Sequence, residues 1–164
     1  MQAVTFSVAG IPRPQPRPRF VKGRVISAAD ANAKRWIMAV EGMAKQVAPY
    51  AGELGSALSV VLVFRFPTKD KARLDKPHTH RPDSDNLAKL VLDCLTRSGL
   101  IGDDSAVSSL SIRKSWDVEG GVDILVLPDC RLPLEPSPLE PPSWLGGEGV
   151  SGLGRFNQNG SEGI

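Results

Sequence analysis

Cysteine is almost missing from this chain: Cys94 and Cys130 are the only two among 164 residues. Two thiols so far apart give neither a disulfide framework nor the paired spacing of a zinc site. Histidine is as scarce, with His78 and His80 two positions apart and no third ligand nearby, which makes a weak zinc pattern. No apolar run approaches the roughly 20 residues that a membrane-spanning helix needs. The opening stretch, MQAVTFSVAGIPRPQPRPRF, lacks the basic-then-apolar order of a signal peptide. The expectation is therefore a cytoplasmic protein with no membrane association. No internal repeat is visible.

Acidic residues are absent from positions 1–29, which carry Arg13, Arg17, Arg19, Lys22 and Arg24. Between Arg65 and Arg81, the residues Lys69, Lys71, Arg73 and Lys76 join those two arginines against only Asp70 and Asp75. Positions 128–164 run the other way, with five acids against Arg131 and Arg155. Without that tail the chain has 18 basic and 13 acidic side chains, a net charge of +5. Basic segments on a compact body suit a phosphate backbone. Arg13, Arg17, Arg19, Lys22, Lys69, Lys71, Arg73, Lys76 and Arg81 are the candidates to bind it. The His78–His80 stretch reads as part of the same DNA-facing loop, and Arg113 and Lys114 are further residues that could track phosphates.

Hydrophobic residues at 41% and charged residues at 23% are ordinary for one globular domain. Val4–Gly10 alternates as a half-buried strand does. The prolines of IPRPQPRPRF forbid helix and central strand alike, and Arg24–Ser27 suits a short returning strand. Ser27 or Asp30 offers a cap for a helix over Ala31–Val47, with Trp36, Ile37, Val40, Met43, Ala44 and Val47 on one side. Ala57–Phe66 is the most β-branched, apolar run and reads as a central strand. A long basic loop, Pro67–Pro82, follows. Ala106–Trp116 and Gly121–Leu127 read as two strands joined by a turn. From Pro128 onward, 13 of 37 residues are proline or glycine and no period persists, so that tail is expected to be disordered. The element order predicts an α/β (α+β) domain, a small mixed sheet packed against helices.

The densest chemistry lies in RPDSDNLAKLVLDCLTRSGLIGDD, Arg81 to Asp104, with five aspartates in 24 positions. At about 100° per residue, Leu87, Leu90, Val91, Cys94 and Leu95 form one apolar stripe. Asp85, Lys89 and Asp93 share the opposite face. Asp83 and Asp85 stand at the start of this helix, where the aligned peptides favour an anion, and capping alone accounts for them. Capping does not account for Asp103 and Asp104 beyond the Gly turn. If acids from both ends meet, their repulsion calls for a hard cation such as Mg²⁺, which takes oxygen ligands and shares them with phosphate. Spacing leaves open whether they meet. Lys89 suits either an i, i+4 ion pair or charge neutralisation at a transition state.

This segment resembles the signature of the RusA-type Holliday-junction resolvases: D-x-D-N-x-x-K, an apolar helix with an internal Asp, a Gly turn, then D-D-x-x-V. Here Asp83, Asp85, Asn86, Lys89, Asp93, Gly99, Asp103, Asp104 and Val107 meet it, and GIPRPQPRPRF resembles the family's proline-rich segment. The resemblance implies a RusA-like nuclease domain over residues 1–127, with 128–164 outside it. It implies a homodimer that nicks four-way DNA in pairs, dependent on Mg²⁺, in recombination and repair. Asp83, Asp85 and Asp104 would be the essential acids and metal ligands, with Lys89 assisting and Asp103 secondary, and the dimer would help bring the acids together. Two other classes stay open: a branched-DNA-binding protein that does not cut, and a different Mg²⁺-dependent phosphohydrolase.

Overall fold

The computed structural model describes residues 3–16, 19–21, 23–26, 30–52 and 54–129. The proline- and glycine-rich tail expected to be disordered lies outside them from residue 130 onward, as do Arg17 and Lys22. No helix among the described residues is long and apolar enough to cross a membrane.

Strand β1 covers Val4–Ala9, and β2 (Arg19–Val21) pairs with β3 (Arg24–Ile26) in a separate antiparallel ribbon. Helix α1 spans Ala31–Val47, the run the apolar spacing predicts. Of the two candidate caps, Asp30 does the work: its Oδ1 accepts from the Ala33 N–H at 2.7 Å. Trp36, Val40 and Ala44 are buried, while Ile37, Met43 and Val47 flank them. Strand β4 (Leu58–Pro67), helix α2 (Ser84–Arg97), β5 (Val107–Asp117) and β6 (Gly121–Pro128) complete the domain.

The main sheet has the order β1-β6-β4-β5. β4 and β5 run parallel across the α2 crossover, and β6 is antiparallel to both β4 and β1. The fold is thus α+β with a mixed sheet, as expected. Although β5 and β6 are joined by a short turn, they do not pair: β4 lies between them. A hydrophobic, β-branched strand gains most by sitting in the interior of a sheet, and β4 takes that place from the local hairpin. Its burial nevertheless alternates. Leu58, Val60, Leu62, Phe64 and Phe66 are buried, whereas Ser59, Val61, Val63 and Arg65 on the other face are half-exposed.

α2 contributes Leu87, Leu90, Val91, Cys94 and Leu95 to the core, all fully enclosed. This is the stripe read from the sequence. Burial pushes the Cys94 thiol up to about 11, so it is an inert protonated core residue at neutral pH. Gly99, at φ +76°, ends the helix in the left-handed region. The N–H groups of Leu100 and Ile101 then both turn back to the Leu95 carbonyl, at 3.1 and 3.4 Å.

The basic loop before α2 is ordered by the sheet. The N–H of Asp75 donates to the Trp116 carbonyl, and the Trp116 N–H returns a bond to Lys76, each at 3.0 Å. The His78 N–H adds one to Lys114. The loop therefore covers the last residues of edge strand β5, which would otherwise present unpaired backbone. His78 is 5% exposed, its ring 3.9 Å from Phe66 and 4.2 Å from Trp116. It is an aromatic core residue and not the DNA-facing group expected; only His80 is exposed.

Two outcomes test this packing. Leu90→Ala empties a fully enclosed site and is expected to lower stability by about 2–5 kcal/mol in urea unfolding. The His78 pKa is held below the ordinary histidine value, first by burial and then by the nearby Lys114 charge. The unfolded chain therefore takes up this proton more readily than the native one. His78 favours the folded state fully above pH 6.5, and that contribution fades as pH falls through the folded value. Stability of His78→Phe, compared with the parent from pH 8 to pH 5, is expected to fall less steeply.

Candidate active site

Asp83 occupies the cap position of α2 with extended backbone angles (φ −71°, ψ 145°), yet its side chain makes no capping hydrogen bond. Asp85 follows in the first turn. Both side chains are exposed at the positive end of the helix. Asp83 is thus the cap by position and backbone only, and its carboxylate stays free for another ligand. Lys89, one turn further on, is exposed and makes no ion pair among the described residues. The plain i, i+4 bridge is not formed.

The approach to Asp83 is fixed from the sheet. Lys114 on β5 donates through Nζ to the carbonyls of His80 (2.9 Å) and Pro82 (2.8 Å). A lysine read as tracking phosphates is thus a tether for the peptide leading into Asp83. On the other side, the proline-rich segment 11–16 lies against α2. Between them opens a cleft of about 710 Å³, whose walls include Arg13, Gln15, Arg81, Asp83 and Asn86. Asp83 lines this opening together with Asp30, Arg13 and Arg81.

Asp103 and Asp104 lie elsewhere. Asp103 accepts from the Ser105 N–H at 2.8 Å and caps a 3₁₀ turn, Asp104–Ala106, that leads into β5. Hydrogen bonds from Ser105, side chain first and backbone second, hold the Asp103 carboxyl below the usual aspartate range. Asp104 is exposed. The contact of Lys114 with Pro82 sets the far part of β5 beside the start of α2, so Val107 and the acids before it belong at the other end. The 14 residues of α2 span about 21 Å. A helix of that length between them would hold the two acid pairs of one chain roughly 21 Å apart. Accordingly, the described residues hold no group of three or more His, Cys, Asp or Glu side chains able to bind a metal.

The remaining basic candidates divide by use. Lys69, Lys71, Lys76 and Arg81 are exposed, and Arg13 is half-buried at the cleft. Arg73 is engaged, paired with Asp70 at 3.2 Å and lying 5.6 Å over the Trp116 ring. Arg19 falls in β2, its side chain outside the description. Two residues with structural roles at the site, Gln15 and Lys114, carry no spacing signal. A lone Gln among prolines, and a Lys on an edge strand, announce nothing until the chain is folded.

An α+β domain with a free acid pair at a helix start, flanked by arginines, has the equipment of a site for phosphate esters. A family model described as Endodeoxyribonuclease RusA matches residues 9–126. That range covers most of the chain, and the chain belongs to the RusA endodeoxyribonuclease family. A comparison with curated proteins finds no match.

Replacing Lys114 by Met removes both carbonyl contacts while keeping most of the side-chain volume. The expected loss is about 1.5–3 kcal/mol in urea unfolding, with faster amide exchange across residues 79–85.

Proposed function

We propose that this chain is a divalent-metal-dependent junction nuclease that makes paired nicks in four-way DNA as a homodimer, in recombination and repair. The observation that carries the reading is the Asp83–Asp85 pair, its carboxylates unengaged at the α2 start, with Asp83 in the wall of a cleft that Arg13 and Arg81 also line. Family membership supplies the reaction class.

Both acids are hard oxygen donors without competing partners, and Mg²⁺ needs only one or two such carboxylates beside waters and substrate phosphate. The residues fit the ion. Asp83 and Asp85 would hold it, completed by Asp104, and secondarily Asp103, from a second copy. When bound, a divalent cation offsets phosphate charge and makes a water acidic enough to attack. The chain's own groups do the rest. Arg13 and Arg81 orient the phosphodiester in the cleft, and Lys89 offsets charge that grows on its oxygens in the transition state. Lys69, Lys71 and Lys76, with Arg17, Arg19 and Lys22 of the arm, bind flanking phosphates.

The separation of the acid pairs supports the dimer. A twofold axis between two antiparallel copies of α2 sets the start of one helix beside the end of the other, so that each site draws acids from both chains. The outer edge of β5 before Lys114 has no partner among the described residues.

The test uses a labelled four-way junction beside linear duplex, with Mg²⁺ or with EDTA. Nicks in the junction alone, and only with metal, are expected; binding in EDTA with no nicks under any metal would leave a branched-DNA-binding protein. Asp85→Asn and Asp104→Asn are each expected to bind but not cut. Refolded together, they regenerate one intact site per mixed dimer, about a quarter of the parental sites, and single-strand nicks return. Continued inactivity of the mixture would mean that each site is built within one chain.

A further inference from the structure

The aspartate in the middle of α2 has no role in the reading above. Asp93 lies two turns beyond Asp85, about 12 Å along the helix, too far to join the acids at the α2 start. It is half-buried, and its Oδ2 accepts from Gln15 Nε2 at 2.8 Å. The Gln15 N–H donates to the Asn86 carbonyl at 3.0 Å. Asn86 and Asp93 are seven residues apart, so they lie on one side of α2 about 10 Å from each other. One residue thus holds the proline-rich segment to the helix at two points. Its neighbours Pro12, Pro14 and Pro16 have no backbone donor, and extended proline-rich chain makes no internal hydrogen bonds. Among the described residues, Gln15 provides the hydrogen bonds that bind this segment to α2.

We propose that Gln15 and Asp93 are positioning residues: together they strap the segment 11–16 along α2 and so set the wall of the cleft that carries Arg13 opposite Asp83. The inference deepens the nuclease reading and rests on it for the substrate, but the strap itself stands on geometry. Asp93 is an acceptor for the arm, neither a metal ligand nor a catalytic residue. Its carboxylate strengthens the bond from the neutral Gln amide, as ionised acceptors do.

The polarity of the pair gives the experiment. Gln15→Ala removes the donor, and Gln15→Glu sets two carboxylates together. Gln15→Glu combined with Asp93→Asn reverses donor and acceptor and restores one hydrogen bond. On a four-way junction with Mg²⁺, Gln15→Ala is expected to raise KM about tenfold with kcat within about twofold. Gln15→Glu is expected to be worse, and the double variant to return toward the parent. Amide exchange of residues 11–15, measured without DNA, should quicken in both single variants and slow again in the double.

Quickened exchange with no nicking by the parent on any DNA would keep the strap and remove the nuclease. Normal nicking with unchanged exchange and KM in Gln15→Glu would remove the strap and keep the nuclease. A fall in kcat with KM unchanged would also overturn the positioning role. If Gln15→Glu fails to fold, Gln15→Ala with Asp93→Leu provides the same two readouts.

Discussion

Burial of the α2 stripe against the sheet is the interaction on which the rest of this molecule depends. Five fully enclosed side chains from one helix lock its rotation and its height on the sheet. Everything polar on α2 is then assigned a place. The start of the helix sets Asp83 in the cleft wall, the middle receives the arm, and the end leads through Gly99 to the second pair of acids. The same rigidity keeps the two acid pairs apart, because a helix of this length cannot be shortened. In the proposed nuclease, a site using both pairs would draw them from two chains.

Much of the fold could be read from residue patterns. α1 and α2 follow their apolar spacing almost to the residue, since a core-facing stripe needs no distant information. β4 was visible for its β-branched density. What escaped was pairing: nothing in the short turn after Asp117 says that β4 will come between β5 and β6. Of the candidate site, Asp83 and Asp85 were legible because a helix start and its acids are local. The separation of Asp103 and Asp104 from them was not, because it depends on the direction in which β5 returns. His78 misled for a related reason: a histidine in a basic loop looks solvated until Phe66 and Trp116 close on it.

Charge in this domain serves two purposes that composition cannot separate. Lys114 and Arg73 bind the protein to itself, one through backbone carbonyls and the other through an acid and an indole face. Arg65, near the end of β4, is likewise taken up by Asp123 at 2.9 Å, which also accepts from Ser7. The lysines at 69, 71 and 76 have no such work among the described residues. The surplus of cations available to a nucleic acid is therefore smaller than the net charge suggests, and it gathers on the loop and arm that flank the acidic helix start.

The position of β6 has a further consequence. It is the last strand of the domain in sequence, yet it is interior to the sheet, joining β1 to β4 along both of its edges. Val4 finds its partner in Val126, more than a hundred residues away. During synthesis from the N-terminus, β1 must wait without a strand partner until nearly the whole domain has left the ribosome. Such distant pairing makes for slow maturation, and it means that the sheet, and with it the floor under α2, closes only once the final strand slides into its gap.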